Sequence, residues 1–203
     1  KAADQNDASA QYSVGWALAK GVGVPKDEAI AAEWFQKSAD QGIAAAQREL
    51  GVLLFNGSGV KKDQQLGTAW LRKAADQGDI TAQVNLGRFY RTGSGVPKND
   101  QESNGWYRKA AEQGDVTAQR ELGIAYAFGY GVEVDERQAG RWFRKAADQG
   151  DKVASNNLGD LYERGAGGLQ QDHAEAVRLY RAAGQQGEAY GQRNLARMFR
   201  EGL

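Results

Sequence analysis

Three groups in this sequence have the residue types for catalysis or ligand chemistry, and each lacks its necessary companions. Gly21-Val22-Gly23 and its copies at Gly57-Ser58-Gly59, Gly93-Ser94-Gly95 and Gly129-Tyr130-Gly131 have the glycine density of a phosphate loop. Such a loop also needs a third glycine, a preceding strand or a Gly-Lys-Ser/Thr ending. None is present, so the glycines read as turns between helices. His173 is the only histidine, which leaves no pair for a metal and no proton relay. Beside Asp172 at a helix start, it is expected at the surface. Carboxylates are plentiful, but they fall at caps and exposed helix positions, and spacing singles out no acid/base pair. With no cysteine there is no disulfide, Cys-based zinc site or thiol nucleophile. The expectation is a non-enzyme with no cofactor and no metal; absence of cysteine fits cytoplasm and periplasm equally.

The remaining chemistry is recognition. Arginines and aromatics supply it, since rings bury large areas and guanidinium groups make planar, multiple hydrogen bonds. Lysine plus arginine equals aspartate plus glutamate at 26 each, so no net field draws a polyanion or an anionic membrane. Arg48, Arg88, Arg91, Arg120, Arg193, Arg197 and Arg200 partly supply a basic stripe, but zero net charge turns the expectation from nucleic acid toward an acidic protein segment. No run approaches the roughly 18 apolar residues of a membrane helix. The chain starts without methionine at Lys1-Ala2-Ala3-Asp4-Gln5, a phrase repeated at residues 73–77, and is read as a piece of a longer protein.

The elements that position these side chains come from a period of 36 residues. Trp34, Trp70, Trp106 and Trp142 keep it, as do Gly15, Gly51, Gly87, Gly123 and Gly159. The fifth unit slips by one residue at Gly165-Ala166-Gly167-Gly168, where a loop lengthens. Each unit predicts two helices. In helix A, Ala46, Leu50, Leu53 and Leu54 recur at helical spacing until Gly57; helix B starts at the cap Asp63, carries Ala69, Trp70, Lys73 and Ala74, and ends at Gly78. Asp27, Asn99, Asp135 and Asp172 are the other helix B caps, and Asp79 and Asp115 cap helices A. One hairpin cannot bury its own stripe, so neighbours must stack. The chain is expected to be one all-α repeat domain over 1–203: a partial helix B at 1–7, repeats at about 8–43, 44–79, 80–115, 116–151 and 152–188, and a terminal helix A at 189–203.

A partner must use positions the repeat does not require. On a wheel of about 100° per residue, Val52, Phe55 and Asn56 lie near Arg48 and opposite Ala46, Leu50, Leu53 and Leu54, which implies that they do not face the core. Equivalent positions give the expected binding residues: Tyr12, Trp16, Arg48, Val52, Phe55, Arg88, Arg91, Arg120, Ile124, Phe128, Arg193 and Arg197, with Tyr130 as a second contact edge in the loop.

The pattern resembles the Sel1-like repeat family, relatives of tetratricopeptide repeats. Ala82, Leu86, Gly87, Tyr90, Gly93, Gly95 and Val96, then Trp106, Tyr107, Lys109, Ala110, Ala111 and Gly114, carry it in the third unit, and it extends over essentially the whole chain. The resemblance implies a right-handed α/α superhelical solenoid with the helix A face concave, acting as a bacterial adaptor or scaffold. Family uses also imply two alternatives: an immunity protein neutralising a secreted toxin, and a cell-wall-related hydrolase. The expected partner is a protein, with no nucleic acid, membrane insertion or small-molecule substrate, and the expected compartment is the bacterial envelope or periplasm, with cytoplasm as the alternative.

Overall fold

The computed structural model describes Ala3 and residues 6–203. Among these are eleven helices and no strand: α1 (Ala8–Lys20), α2 (Glu28–Asp40), α3 (Ala44–Asn56), α4 (Gln64–Asp76), α5 (Ile80–Thr92), α6 (Asp100–Glu112), α7 (Val116–Phe128), α8 (Glu136–Asp148), α9 (Lys152–Arg164), α10 (His173–Gln185) and α11 (Ala189–Arg200). The chain divides into two compact units, Lys1–Lys109 and Ala110–Leu203. Of the partial helix expected over 1–7, all but Ala3, Asn6 and Asp7 lies outside the described residues.

Helix boundaries follow the capping chemistry. Asp27, Asp63 and Asp172 each accept a hydrogen bond at 2.9 Å from the backbone N–H three residues on, satisfying an amide that the helix leaves free. Asn99 and Asp135 each accept two such bonds. Asp79 and Asp115 cap α5 and α7 at 2.8 Å. At the other end of helix A, Gly57 takes a left-handed conformation (φ 79°) and returns its N–H to the Leu53 carbonyl. The Gly-x-Gly segments are turns. Their second glycine also meets an earlier helix: a Cβ on Gly59 would lie 2.4 Å from the Glu28 carbonyl carbon at the start of α2, and one on Gly95 would lie 2.8 Å from the Gln64 oxygen.

In the first unit, α1 packs on α2 at Gly15, where a Cβ would lie 2.8 Å from the Phe35 ring. Gly87 of α5 receives the ring of Tyr107 at 2.7 Å by the same measure. The second repeat substitutes Leu71 for the ring and Gly67 for a small residue, and there a Cβ on Gly51 would meet the Gly67 carbonyl oxygen at 2.8 Å. Trp70 and Trp106 are buried, and their faces are covered by Lys73 and Lys109 at 3.8 and 3.9 Å. Trp34 is only half-buried under Lys37.

In the second unit the same contacts recur. Gly123 lies under Phe143 and Gly159 under Tyr180, two of the most deeply buried side chains. Buried glutamines run alongside. Gln119 donates to the Ala111 carbonyl and accepts from Gln149, as Gln47 donates to Ala39 and accepts from Gln77 in the first unit. Each ties the end of one helix B, a helix A and the end of the following helix B. The fifth repeat has Ser155 at this position, and its hydroxyl turns back to Asp151 in its own helix N-cap.

The glycine contacts have a measurable consequence. Gly123→Ala places a methyl 2.4 Å from Phe143 and is expected to destabilise by about 1–3 kcal/mol through overpacking. Gly105→Ala, in α6 with nothing within 4 Å of its new methyl, is expected to stabilise by about 0.5–1 kcal/mol through helix propensity. Urea unfolding of the two variants checks both signs.

Candidate partner-binding surface

The expected binding residues separate by how much of each remains free. In the first unit, Trp16 on α1 and Arg88 on α5 are exposed. Tyr12 is half-buried with its ring 5.9 Å from Phe35. Arg91 is also half-buried, with its guanidinium over the Tyr107 ring.

Val52 and Phe55 correct the helical-wheel reading. They do meet a core, because α3 has a second apolar seam. Both pack against the cluster that includes Leu71, Leu86, Phe89 and Trp106, and the Phe55 ring stacks on Phe89 at 3.9 Å with the planes 6° apart. The wheel accounted for the seam with α2 and Trp70 but not for the one with Leu71 of α4 and Phe89 of α5, the helix A of the next repeat. Ile124 repeats the lesson in the second unit, half-buried against the cluster around Phe143 and Leu158.

Arg48 and Arg120 are committed within the chain. Arg48 reaches Asp79 through Nη1 at 2.7 Å and grips Glu49 through Nη2 at 2.8 Å; Arg120 treats Asp151 and Glu121 the same way at 2.8 and 3.1 Å. Asp79 and Asp151 are themselves N-caps, so each arginine ties one helix A to the start of the next. Burial opposes both guanidinium charges, but the hydrogen bonds to Glu49 and Glu121 and the charges of Asp79 and Asp151 outweigh it, and both pKa values are raised.

Arg197 is engaged as well. It donates to Glu163 at 2.6 Å and to Glu201 at 3.2 Å, and the Tyr180 hydroxyl donates to the same Glu163 carboxylate at 2.8 Å. The Arg197 hydrogen bond, against some burial, holds Glu163 below the usual carboxylate range. Arg193 is exposed over the Tyr190 ring.

Two aromatics of the second unit stand out. Phe128, the last residue of α7, is 62% exposed, and Tyr130 in the following loop is 46% exposed; their rings lie 5.9 Å apart at 26°. Position 128 is Lys20, Asn56, Thr92 and Arg164 in the other repeats, and position 130 is Val22, Ser58, Ser94 and Ala166. The repeat therefore requires neither ring. His173, expected at the surface, is half-buried, and its Nδ1 atom is shielded without a hydrogen-bond partner. Among the described residues, no group of three or more His, Asp or Glu side chains could hold a metal ion.

The buried glutamines and the Arg–Asp ties were missed in the sequence, although both carry a signal. Gln47, Gln83 and Gln119 keep the period of 36, and each ion pair joins residues 31 apart.

A fold of repeated helix pairs with these caps and glycine contacts defines a tetratricopeptide-like α/α repeat protein. The Sel1 repeat matches residues 8–43, 44–79, 80–115, 116–151 and 152–188, and the chain belongs to the Sel1 repeat family. A protective antigen present in uropathogenic Escherichia coli strains, displaying the same repeat fold, is 37% identical over 99% of this chain with a TM-score of 0.94. The chain spans 43% of that protein. A Sel1 repeat protein from Oxalobacter formigenes is 34% identical over 94% of this chain and 76% of its own, with a TM-score of 0.82. An immunity protein from Pseudomonas aeruginosa is 25% identical over 91% of this chain and 67% of its own, at 0.50. No curated protein matches the chain. The Sel1 repeat fold is typical of protein–protein interaction modules.

Two expected outcomes follow from the placement of these residues. Phe55→Ala removes a stacked, half-buried ring and should cost roughly 2–4 kcal/mol, whereas Phe128→Ala should stay within about 0.5 kcal/mol, as read from urea midpoints. Glu163 has a lowered folded-state pKa, so its contribution to stability is present above the ordinary carboxyl value of about 4.3 and is lost as pH falls through the lowered value. Arg197→Ala should therefore be less stable than the parent at neutral pH, with the gap closing in acid.

Proposed function

We propose that this chain is a bacterial protein-interaction module that engages a partner protein through the Phe128–Tyr130 pair and the surface around it. The observation that carries the proposal is that pair: two large rings, exposed and stacked on each other, at positions where every other repeat carries a smaller or polar residue. Exposed apolar rings are costly to keep in water, and preorganised aromatics are the residues that anchor protein interfaces. Membership of the Sel1 family supports the same class.

Adaptor to one dedicated partner is the finer role we favour, supported by membership of the Sel1 repeat family. Immunity toward a toxin is the second reading, and the likeness to that immunity protein is what favours it.

The test is affinity capture from the source cells with the parent chain and with Phe128→Ala/Tyr130→Ala. A specific protein retained by the parent and lost from the double variant, with helicity and melting unchanged, is the expected result. A retained protein that binds both chains equally would move the interface elsewhere. A captured partner that proves to be a secreted toxin would favour immunity over adaptor.

A further inference from the structure

A cavity of about 810 Å³ opens along α8 in the second unit, walled on its far side by the loop between α9 and α10. Its volume is within the range of ordinary ligand pockets. Arg137, Arg141, Arg144 and Lys145 all line it. Their spacing of four, seven and eight residues puts them on one helical face about 12 Å long. One of these cations, Arg137, is an addition to the repeat. Position 137 is Ala29, Gln65, Gln101 and Ala174 in the other repeats, whereas position 141 is Glu33, Ala69 and Gly105 in the preceding repeats and Arg178 in the fifth.

The Arg137 and Arg141 guanidinium groups are also uncommitted. Among the described residues neither Arg137 nor Arg141 pairs with a carboxylate, whereas Arg120, Arg164, Arg178 and Arg197 all do. Arg144 gives one donor to the Tyr162 hydroxyl, and Lys145 sits 4.5 Å over the Trp142 ring, so each keeps further donors for a ligand.

The cavity coincides with the one-residue lengthening of the repeat. The loop presses its backbone on α8: a Cβ on Gly167 would lie 2.6 Å from the Glu136 oxygen, as at Gly59 and Gly95 in earlier repeats, and the extra Gly168 adds a second approach, 3.0 Å from Arg137 Nε by the same measure. Leu169 then closes the wall opposite half-buried Trp142, which gives the site apolar surface beside its charges. A shallower groove shares Arg137, Gly167 and Gly168 and continues to Val132 and Val134, in the loop that carries Tyr130.

We propose that this cavity receives a short acidic segment of the partner protein, with carboxylates on Arg137 and Arg141 and an apolar side chain against Trp142 and Leu169. The assignment rests on the reading of the chain as a protein-binding module. Planar guanidinium groups match carboxylates in paired hydrogen bonds, and a concave wall of low dielectric strengthens them. A nucleic acid fits less well. The cations end after about 12 Å, and Glu133, Asp135 and Glu136 line the adjoining groove, where they would repel a continuing phosphate chain.

The test uses a short fluorescein-labelled peptide of glutamates flanking a Leu-Phe pair, with fluorescence anisotropy as the readout. Saturable binding that weakens with salt is expected. It should fall at least about tenfold for Arg137→Ala/Arg141→Ala, and equally when glutamine replaces glutamate in the peptide, with melting unchanged because both arginines are exposed and unpaired. Three results would each overturn the proposal: no saturable binding, equal binding by the double variant, or an oligothymidylate of similar length binding as tightly as the peptide. The parent reading is separable. If Phe128→Ala/Tyr130→Ala loses the captured partner while the arginine variant still binds peptide, the module stands and this site falls. If the arginine variant loses the peptide while the parent chain captures no protein, the anion site stands and the assignment to a partner falls.

Discussion

The contact on which each repeat depends is the seat of one helix B side chain on a helix A glycine. Phe35, Tyr107, Phe143 and Tyr180 occupy the space that a Cβ on Gly15, Gly87, Gly123 and Gly159 would fill. Removing the Cβ lets two helices approach until a ring bridges them without a void, and close packing of this kind tolerates no extra methyl. Leu71 and Gly67 show the constraint from the other side. Where the ring is replaced by a smaller side chain, the space is closed with a second glycine and the backbones themselves meet. The tryptophan, the lysine over its face and the buried glutamine then follow from a hairpin whose separation is already fixed.

That hierarchy decides what the sequence could reveal. Period, helix starts and stops and the hairpin core were legible, because caps such as Asp63 and Gly57 act within a few residues and Leu50 and Leu54 mark a stripe on a single helix. The second seam of helix A was not. The Phe55 backbone lies against Gly67 of α4 and its ring stacks on Phe89 of α5, and only the position of α5 reveals that this side of the helix is covered as well. A wheel drawn for one helix counts one neighbour, whereas a helix in a stacked array has neighbours on both sides.

The arginines make the same point in charge. Arg48 and Arg120 have the residue type of an interface, but each spans to an aspartate that caps the next helix A, so their positive charge is answered inside the chain. An ion pair between residues 31 apart is invisible to local pattern reading, yet its recurrence two periods later was available as a signal. Charge balance over the whole chain concealed it further. A net charge of zero is compatible with internally paired charges and with a locally unpaired cluster, and the protein contains both.

Recognition is best sought where the repeat fails rather than where it holds. A residue kept in every unit is explained by stacking, and even a variable one is consumed if a neighbour lies against it, as Val52 and Ile124 are. The second unit holds three departures: the rings at 128 and 130, the added arginine at 137, and the lengthened loop at 165–168. Grooves share the loop glycines and Arg137 and continue toward the strand of chain that carries Tyr130. Stability gives no reason for the unpaired guanidinium group of Arg137 and the solvent-exposed rings of Phe128 and Tyr130, since smaller or uncharged residues serve at those positions in other repeats. A binding surface supplies that reason, because its exposed rings and charges are covered when a partner arrives.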